Sequence, residues 1–386
     1  MSSSTLLRLA GLAAVLGGVL FVLVNIGDVV LLFLAPGPSG FSDAALILFL
    51  IQPASALLGG VLLGLGLVGL YIYQSQATDT VGLIGFLMAF LGTTLMQGIV
   101  WAALLAYLGL ALFGVATLQA GVYPRIAATL LIIGAAISGV ASAYTTVGFG
   151  GSVLVYTGSG AGIILDAAIV WLGFSLFKKR DEEVQRSTQA SSSALLRSGG
   201  LAAVLGGTMV TVFDFVLLVS TSLASGPGGF GGAANRTLFI VSLLAQLSQA
   251  LLALGLVGLY VRQSEAAGII GLISFLMAFP GMILGLGIED VPGWAAPLAY
   301  LGLALFGVAT LQAGIYPRTA ATLLIISAVI AGLFSPLIIA LILGLGSSLA
   351  YIGASAVIIF NIVITWLGYV LFKEEGEEAS QTTQMS

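Results

Sequence analysis

The stretch YLGLALFGVATLQAG occupies Tyr107–Gly121 and returns letter for letter at Tyr300–Gly314, 193 positions later. Whatever the first half of this chain folds into, the second half must fold into as well. Shorter identities flank the long one. LLRLAGLAAVLGG (Leu6–Gly18) returns as LLRSGGLAAVLGG (Leu195–Gly207), GLGLVGLY (Gly64–Tyr71) as ALGLVGLY (Ala253–Tyr260), and FLMAF (Phe86–Phe90) at Phe275–Phe279. AATLLII (Ala127–Ile133) returns at Ala320–Ile326. The joint is legible too. MSSSTLLR at the start matches ASSSALLR at Ala190–Arg197, and STQ at Ser187–Gln189 matches TTQ at Thr382–Gln384. The chain therefore reads as two tandem copies, 1–189 and 190–386, far longer than the units of a solenoid.

Each copy must fold without a water-facing surface. Charged residues are 7% of the 386 and hydrophobic ones 59%, against about 25% charge in an average soluble domain. Such a chain belongs in a bilayer, and its 53 glycines suit the close helix packing that lipid favours. Cysteine and histidine are both absent, which excludes disulfides, thiolate or imidazole metal sites and a histidine proton relay. Lysine occurs only as Lys178, Lys179 and Lys373, at expected helix ends, so no Schiff-base chromophore can sit inside the bundle. No cofactor, metal or nucleic acid is expected.

A bilayer core of about 30 Å needs about 20 apolar residues per helix. The first copy supplies six such runs: 6–35, 44–73, 81–101, 102–120, 126–147 and 153–177. The third and fourth adjoin, but in the second copy IEDVPGW (Ile288–Trp294) opens the same region and separates them. The fold class is therefore an all-α polytopic membrane protein of twelve transmembrane helices, built as two six-helix repeats. With the N-terminus inside, ten of the eleven basic residues fall on the cytoplasmic side and only Arg236 falls outside, as the positive-inside rule requires. An odd span count would invert the second copy and move Arg262 and Arg318 outside. Six spans per copy instead leave the repeats parallel, with both termini cytoplasmic and an acidic tail at the end. The expected location is a prokaryotic cytoplasmic (inner) membrane. GVYPR and GIYPR read as cytoplasmic turns, with Gly ending one helix, Pro starting the next, and Tyr and Arg at the headgroups.

Three carboxylates lie inside the apolar runs: Asp28, Asp166 and Asp214. A charge at mid-membrane costs at least about 2.5–3.5 kcal/mol, which makes such residues functional candidates. Aligning the copies sharpens the choice. Asp214 stands where the first copy has Asn25, and Asn361 stands where the first copy has Asp166. Each copy holds one acid and one amide at the same two positions, exchanged. Asn25, Asp166, Asp214 and Asn361 are therefore the candidate site, as proton or cation handlers or as polar clamps between helices. Gly11, Ala14, Gly18 and Asn25 share a helical face, as do Gly200, Ala203, Gly207 and Asp214, and Ser159, Gly162 and Asp166. Stripes of this kind face another helix rather than lipid. Asp28 sits a turn nearer the outer surface, within reach of water, and is set aside.

No Lys, Arg or His is available at their depth in the bilayer to pair these acids, so each must be protonated or must hold a cation. Pro53, Pro280 and Pro336 each interrupt a span in one copy only. Together these features favour a secondary transporter or permease for a small solute or ion. The alternative is a non-catalytic membrane scaffold, sensor or assembly protein derived from a fused six-span homodimer, a pseudo-dimer with room for further homo-oligomers. An intramembrane aspartyl hydrolase would need paired YD and GxGD motifs, and IGD and FDF do not supply them, so no enzyme is expected.

Overall fold

Backbone buried in lipid must satisfy its own hydrogen bonds, and an apolar run of this length does so as a helix. The computed structural model is helical in the manner this dictates. It describes residues 3–34, 43–75, 77–78, 80–95, 102–146, 152–178, 195–215, 232–284, 295–342 and 348–385. The first repeat forms α1 (Ser3–Leu34), α2 (Asp43–Gln74), α3 (Thr80–Leu95), α4 (Ala102–Ala120), α5 (Arg125–Thr146) and α6 (Ser152–Phe177). The second begins with α7 (Leu195–Phe215). One helical run, Gly232–Leu284, then bends at Gly268 (φ 59°, ψ −146°) into α8 (232–267) and α9 (269–284). It continues as α10 (Ala295–Ala313), α11 (Arg318–Ile342) and α12 (Ser348–Met385). Among the described residues that makes twelve helices. Eight are long and apolar enough to cross a membrane, and the other four are shorter apolar helices. The protein is an all-α polytopic membrane protein.

The outer faces carry the same message. Along α1 the exposed large residues are Leu9, Leu12, Leu16, Val19, Leu23 and Ile26, at steps of three and four, so one whole stripe of the helix is greasy and uncovered. Water would not tolerate a surface of that kind, whereas lipid tails do.

By contacts the chain divides into two compact units, one within residues 2–191 and the other within 192–386. Within the first, each helix packs on its neighbour in sequence, and α1 closes the circuit against α6. Glycines set these approaches. A Cβ added at Gly66 would strike the Ala14 backbone at 2.5 Å, and one at Gly17 would strike Leu63 N at 2.7 Å, so α2 lies hard against α1. Helices α3 and α4 fold back on each other as an antiparallel pair, with Gly85 on Phe113, Gly109 on Ala89 and Gly92 on Ala106. The expected break in that long apolar region is thus real, although IEDVPGW itself lies outside the described residues. The second unit repeats these contacts: Gly255 meets Ala203, Gly302 meets Ala278 and Gly281 meets Ala299.

The two GxYPR turns form as their residues dictate. Gly121 and Gly314 adopt φ of 65° and 66°, and their N–H groups donate back to Thr117 O and Thr310 O. A left-handed glycine ends the helix there, and Pro124 and Pro317 open the next, accepting from Ala128 N and Ala321 N. Arg125 and Arg318 are exposed as expected. The tyrosines are not: Tyr123 and Tyr316 are buried, and Tyr123 donates to Leu70 O at 3.4 Å and packs on the Tyr73 ring. The turn folds its aromatic ring back over the ends of the helices, so the ring locks the turn instead of anchoring it outward. A second difference lies after α2. In the first repeat the helix ends at Gln74, while in the second it runs on to a bend at Gly268, whose positive φ suits a glycine.

Candidate functional site

The stripe on α1 meets the stripe on α6. A Cβ on Gly11 would lie 2.8 Å from Gly173 O, and one on Gly173 would lie 2.7 Å from both Ala14 Cβ and Gly11 O. One turn further on, a Cβ on Gly18 would lie 2.7 Å from Val170 Cγ2 and 3.0 Å from Asp166 O. The two backbones are in near contact, which only hydrogen at these positions allows. Following α1 one more step along this face brings Asn25 level with Asp166.

There the amide and the acid meet. Asn25 Nδ2 donates to Asp166 Oδ2 at 2.9 Å and to its own helix at Phe21 O, 3.0 Å away, so both amide hydrogens are used. The side chain of Asn25 lies over Gly162, where an added Cβ would come within 2.7 Å of Oδ1. Gly162, on the same face as Asp166, is thus the opening that admits the amide. Ser159, a turn earlier, is buried.

The second repeat builds the same bridge with its ends exchanged. Gly200 and Gly368 bring α7 onto α12, and Gly207 lies on Asn361 O and Thr365. Asn361 Nδ2 donates to Asp214 Oδ2 at 2.9 Å, and Thr365 Oγ1 ties back to Asn361 O at 2.8 Å. All four candidate residues are therefore brought together, in two pairs, each within its own repeat.

The exchange has a consequence for exposure. The position on the sixth helix is the closed one in both repeats: Asp166 is 4% exposed and Asn361 2%, while Asn25 and Asp214 are intermediate. The first repeat keeps its acid in the closed position and the second keeps its acid in the more open one. Chemically each pair is a carboxyl facing a carboxamide. The amide N–H can donate to either form of the acid, but only a protonated carboxyl has a hydroxyl to return to the amide oxygen. The neutral form therefore leaves fewer polar atoms unpaired.

Two further groups approach these pairs, and neither was evident from the sequence. The phenol of Tyr107, on α4, lies close enough to Asp166 and to Asp28 for their charges to act on it, and that of Tyr300, on α10, lies similarly close to Asp214. These are the first residues of the repeated fifteen, and a fifteen-residue identity hides which one of its letters faces an acid. Tyr300 also meets Phe360 edge-on at 6.2 Å. Asp28, for its part, accepts a hydrogen bond from Gln52 Nε2 on α2, so it is partnered within the bundle as well as near the helix end. Among the described residues no cluster of His, Cys, Asp or Glu could hold a metal ion.

No protein-family model matches the chain, and no curated protein matches it. One solved structure, described as the outward-facing conformation of a multidrug resistance MATE family transporter of the MOP superfamily, aligns over 97% of this chain and 96% of its own, at 14% identity and a TM-score of 0.22. At that TM-score the likeness carries no argument about fold or function.

Proposed function

We propose that the protein is a membrane permease for a small solute or ion, coupled to protons or cations through Asp166 and Asp214. The observation that carries this reading is a carboxyl group in each repeat, held between the first and sixth helices and hydrogen-bonded by an amide rather than by a base. In low dielectric such a group is stable only when its charge is cancelled, by a proton or by a bound cation. A group with that requirement changes its occupancy whenever its surroundings change, as a coupling site must. The two repeats face the same way in this reading, with both termini on the cytoplasmic side.

A second reading is favoured by a different observation. The glycine contacts that press α1 onto α6 and α7 onto α12 are backbone-close, which suits a static clamp in a non-catalytic scaffold or assembly protein. Proton release separates the two. In detergent or vesicles, a pH dye should register protons released or taken up by the wild type when the bath is stepped, and Asp166→Asn and Asp214→Asn should each remove part of that signal. A wild-type trace indistinguishable from that of the double Asn variant would sink the proton form of the permease. If a rise in sodium or potassium also left both proteins unchanged, the clamp would stand alone.

A further inference from the structure

Two neighbouring side chains of α8 are sealed away from solvent with nothing to bond to. Gln263 is 0% exposed, and neither its amide nitrogen nor its carbonyl oxygen has a hydrogen-bonding partner among the described residues. Tyr260, one turn earlier on the same face, is also buried, and its hydroxyl is likewise unpartnered. Buried polar atoms left in that state are costly, and each one calls for an explanation. The first repeat shows the same residues closer to satisfied. Gln74 and Thr117 stand where the second repeat has Gln263 and Thr310, and Thr117 Oγ1 donates to Gln74 Oε1 at 2.8 Å. Only the amide nitrogen of Gln74 is left over. Thr310 donates within its own helix, to Phe306 O at 2.8 Å.

Two differences between the copies open this pair. A Cβ added at Gly85 would come within 2.6 Å of Phe113 N, yet the second repeat carries Ser274 at that position. Ser274 is fully buried, with its hydroxyl donating to Gly271 O at 2.8 Å. Helix α9 cannot approach α10 at this level as closely as α3 approaches α4. The second difference is Ala267, which lies over Gly271 where Thr78 lies over Gly82. A hydroxyl and a methyl are lost there, about the room that one water needs. The gap faces the orphaned groups, since a Cβ at Gly271 would lie 3.8 Å from both Tyr260 Cε2 and Ala309 Cβ, next to Thr310.

We propose that the second repeat holds a buried water at Gln263, between α8, α9 and α10, in a site that the first repeat has partly closed with its Gln74–Thr117 bond. Water both donates and accepts, as a carboxamide beside a phenol requires. It donates to Gln263 Oε1 and accepts from Gln263 Nε2 or the Tyr260 hydroxyl. The hydroxyl hydrogens of Thr310 and Ser274 are already used, but each oxygen keeps a lone pair for the water's second hydrogen. None of these groups is charged, so an ion has no counterpart here. The site involves neither acid–amide pair and stands whether or not the permease reading does.

Radiolytic hydroxyl labelling of the full chain in lipid nanodiscs tests this, with water itself as the probe. Radicals made in bulk solvent do not reach a sealed ring, whereas a water bound beside one is activated in place. Tyr260 should be hydroxylated although it is 1% exposed, and Phe90, 0% exposed in apolar packing, should not. In water enriched in heavy oxygen, the oxygen gained should be the heavy isotope. Gln263→Leu should slow the labelling of Tyr260 by about fivefold or more, as the loss of the water's main partner implies. Ala267→Thr, which fills the gap with the first repeat's own residue, should slow it as well. Tyr260 labelled no faster than Phe90, or as fast in both variants as in the wild type, overturns the site, and so does uptake of light oxygen. A Gln263→Leu protein that melts higher than the wild type overturns it too. Removing an orphaned amide from a dry interface relieves a cost, while removing the partner of a bound water does not.

Discussion

Asp166 and Asn361 occupy one position of the repeat, and Asn25 and Asp214 occupy the other. Because each hydrogen bond joins an amide to an acid, neither helix is committed to carrying the acid. What each repeat retains is the combination. Replacing Asp166 or Asp214 by Asn leaves two amides face to face, and an amide pair can still exchange a hydrogen bond. Thermal stability should then stay within about 0.5 kcal/mol of the wild type. Leu in either place strands the partner amide without an acceptor, and stability should fall by about 1–3 kcal/mol. The fall should be larger at Asp166, whose position is the more closed of the two. A melting series of four variants in one detergent reads this out, and equal losses for Asn and Leu would show that the pair is not hydrogen-bonded in the folded protein. The reciprocal swap Asn25→Asp with Asp166→Asn copies the second repeat's arrangement into the first and should melt close to the wild type.

At the scale of helices, the site exists because glycine lets α1 reach α6. Gly18 has Val170 and the Asp166 carbonyl against it, whereas Gly27 on the same helix has nothing within 4 Å. Gly18→Ala must therefore push the two helices apart and should cost about 1–3 kcal/mol. Gly27→Ala should cost nothing measurable. Since the first change also pulls Asn25 from Asp166, its effect should not add to that of Asp166→Leu, because both remove the same bridge. Strictly additive losses in the double variant would place the two features in separate parts of the fold. The small-residue stripe was legible in the sequence as 3–4–7 spacing, and so was the conclusion that it faces a helix. Which helix it faces was not, since spacing along one element says nothing of its partner.

At the scale of the whole molecule, the duplication and the basic residues together dictate an even number of spans per copy. A cysteine introduced at Ser39 should react with an impermeant reagent from outside intact cells, and one at Ser191 should react only after the membrane is opened. The chain has no cysteine of its own to confuse the result. The opposite pattern would reverse the orientation. Both positions lie outside the described residues, so the labelling tests the charge argument independently of any helix contact.

Composition and repetition alone determined that the chain is helical, lies in a bilayer and is built twice over, because a charge-poor chain in lipid has no other way to satisfy its backbone. The helix boundaries followed from the same apolar runs, and the glycine–proline turns from residue types whose backbone preferences are local. The polar residues to watch were also visible, since an acid in an apolar span stands out and aligning the copies pairs it with an amide. Tertiary structure alone decided that each acid meets the amide of its own repeat and that Asp28 is held by Gln52. Those partners lie 24 to 147 residues apart where a hydrogen bond joins them. Contacts at that range are set by which helix faces close on one another, and closure is a property of the packed bundle rather than of any single span.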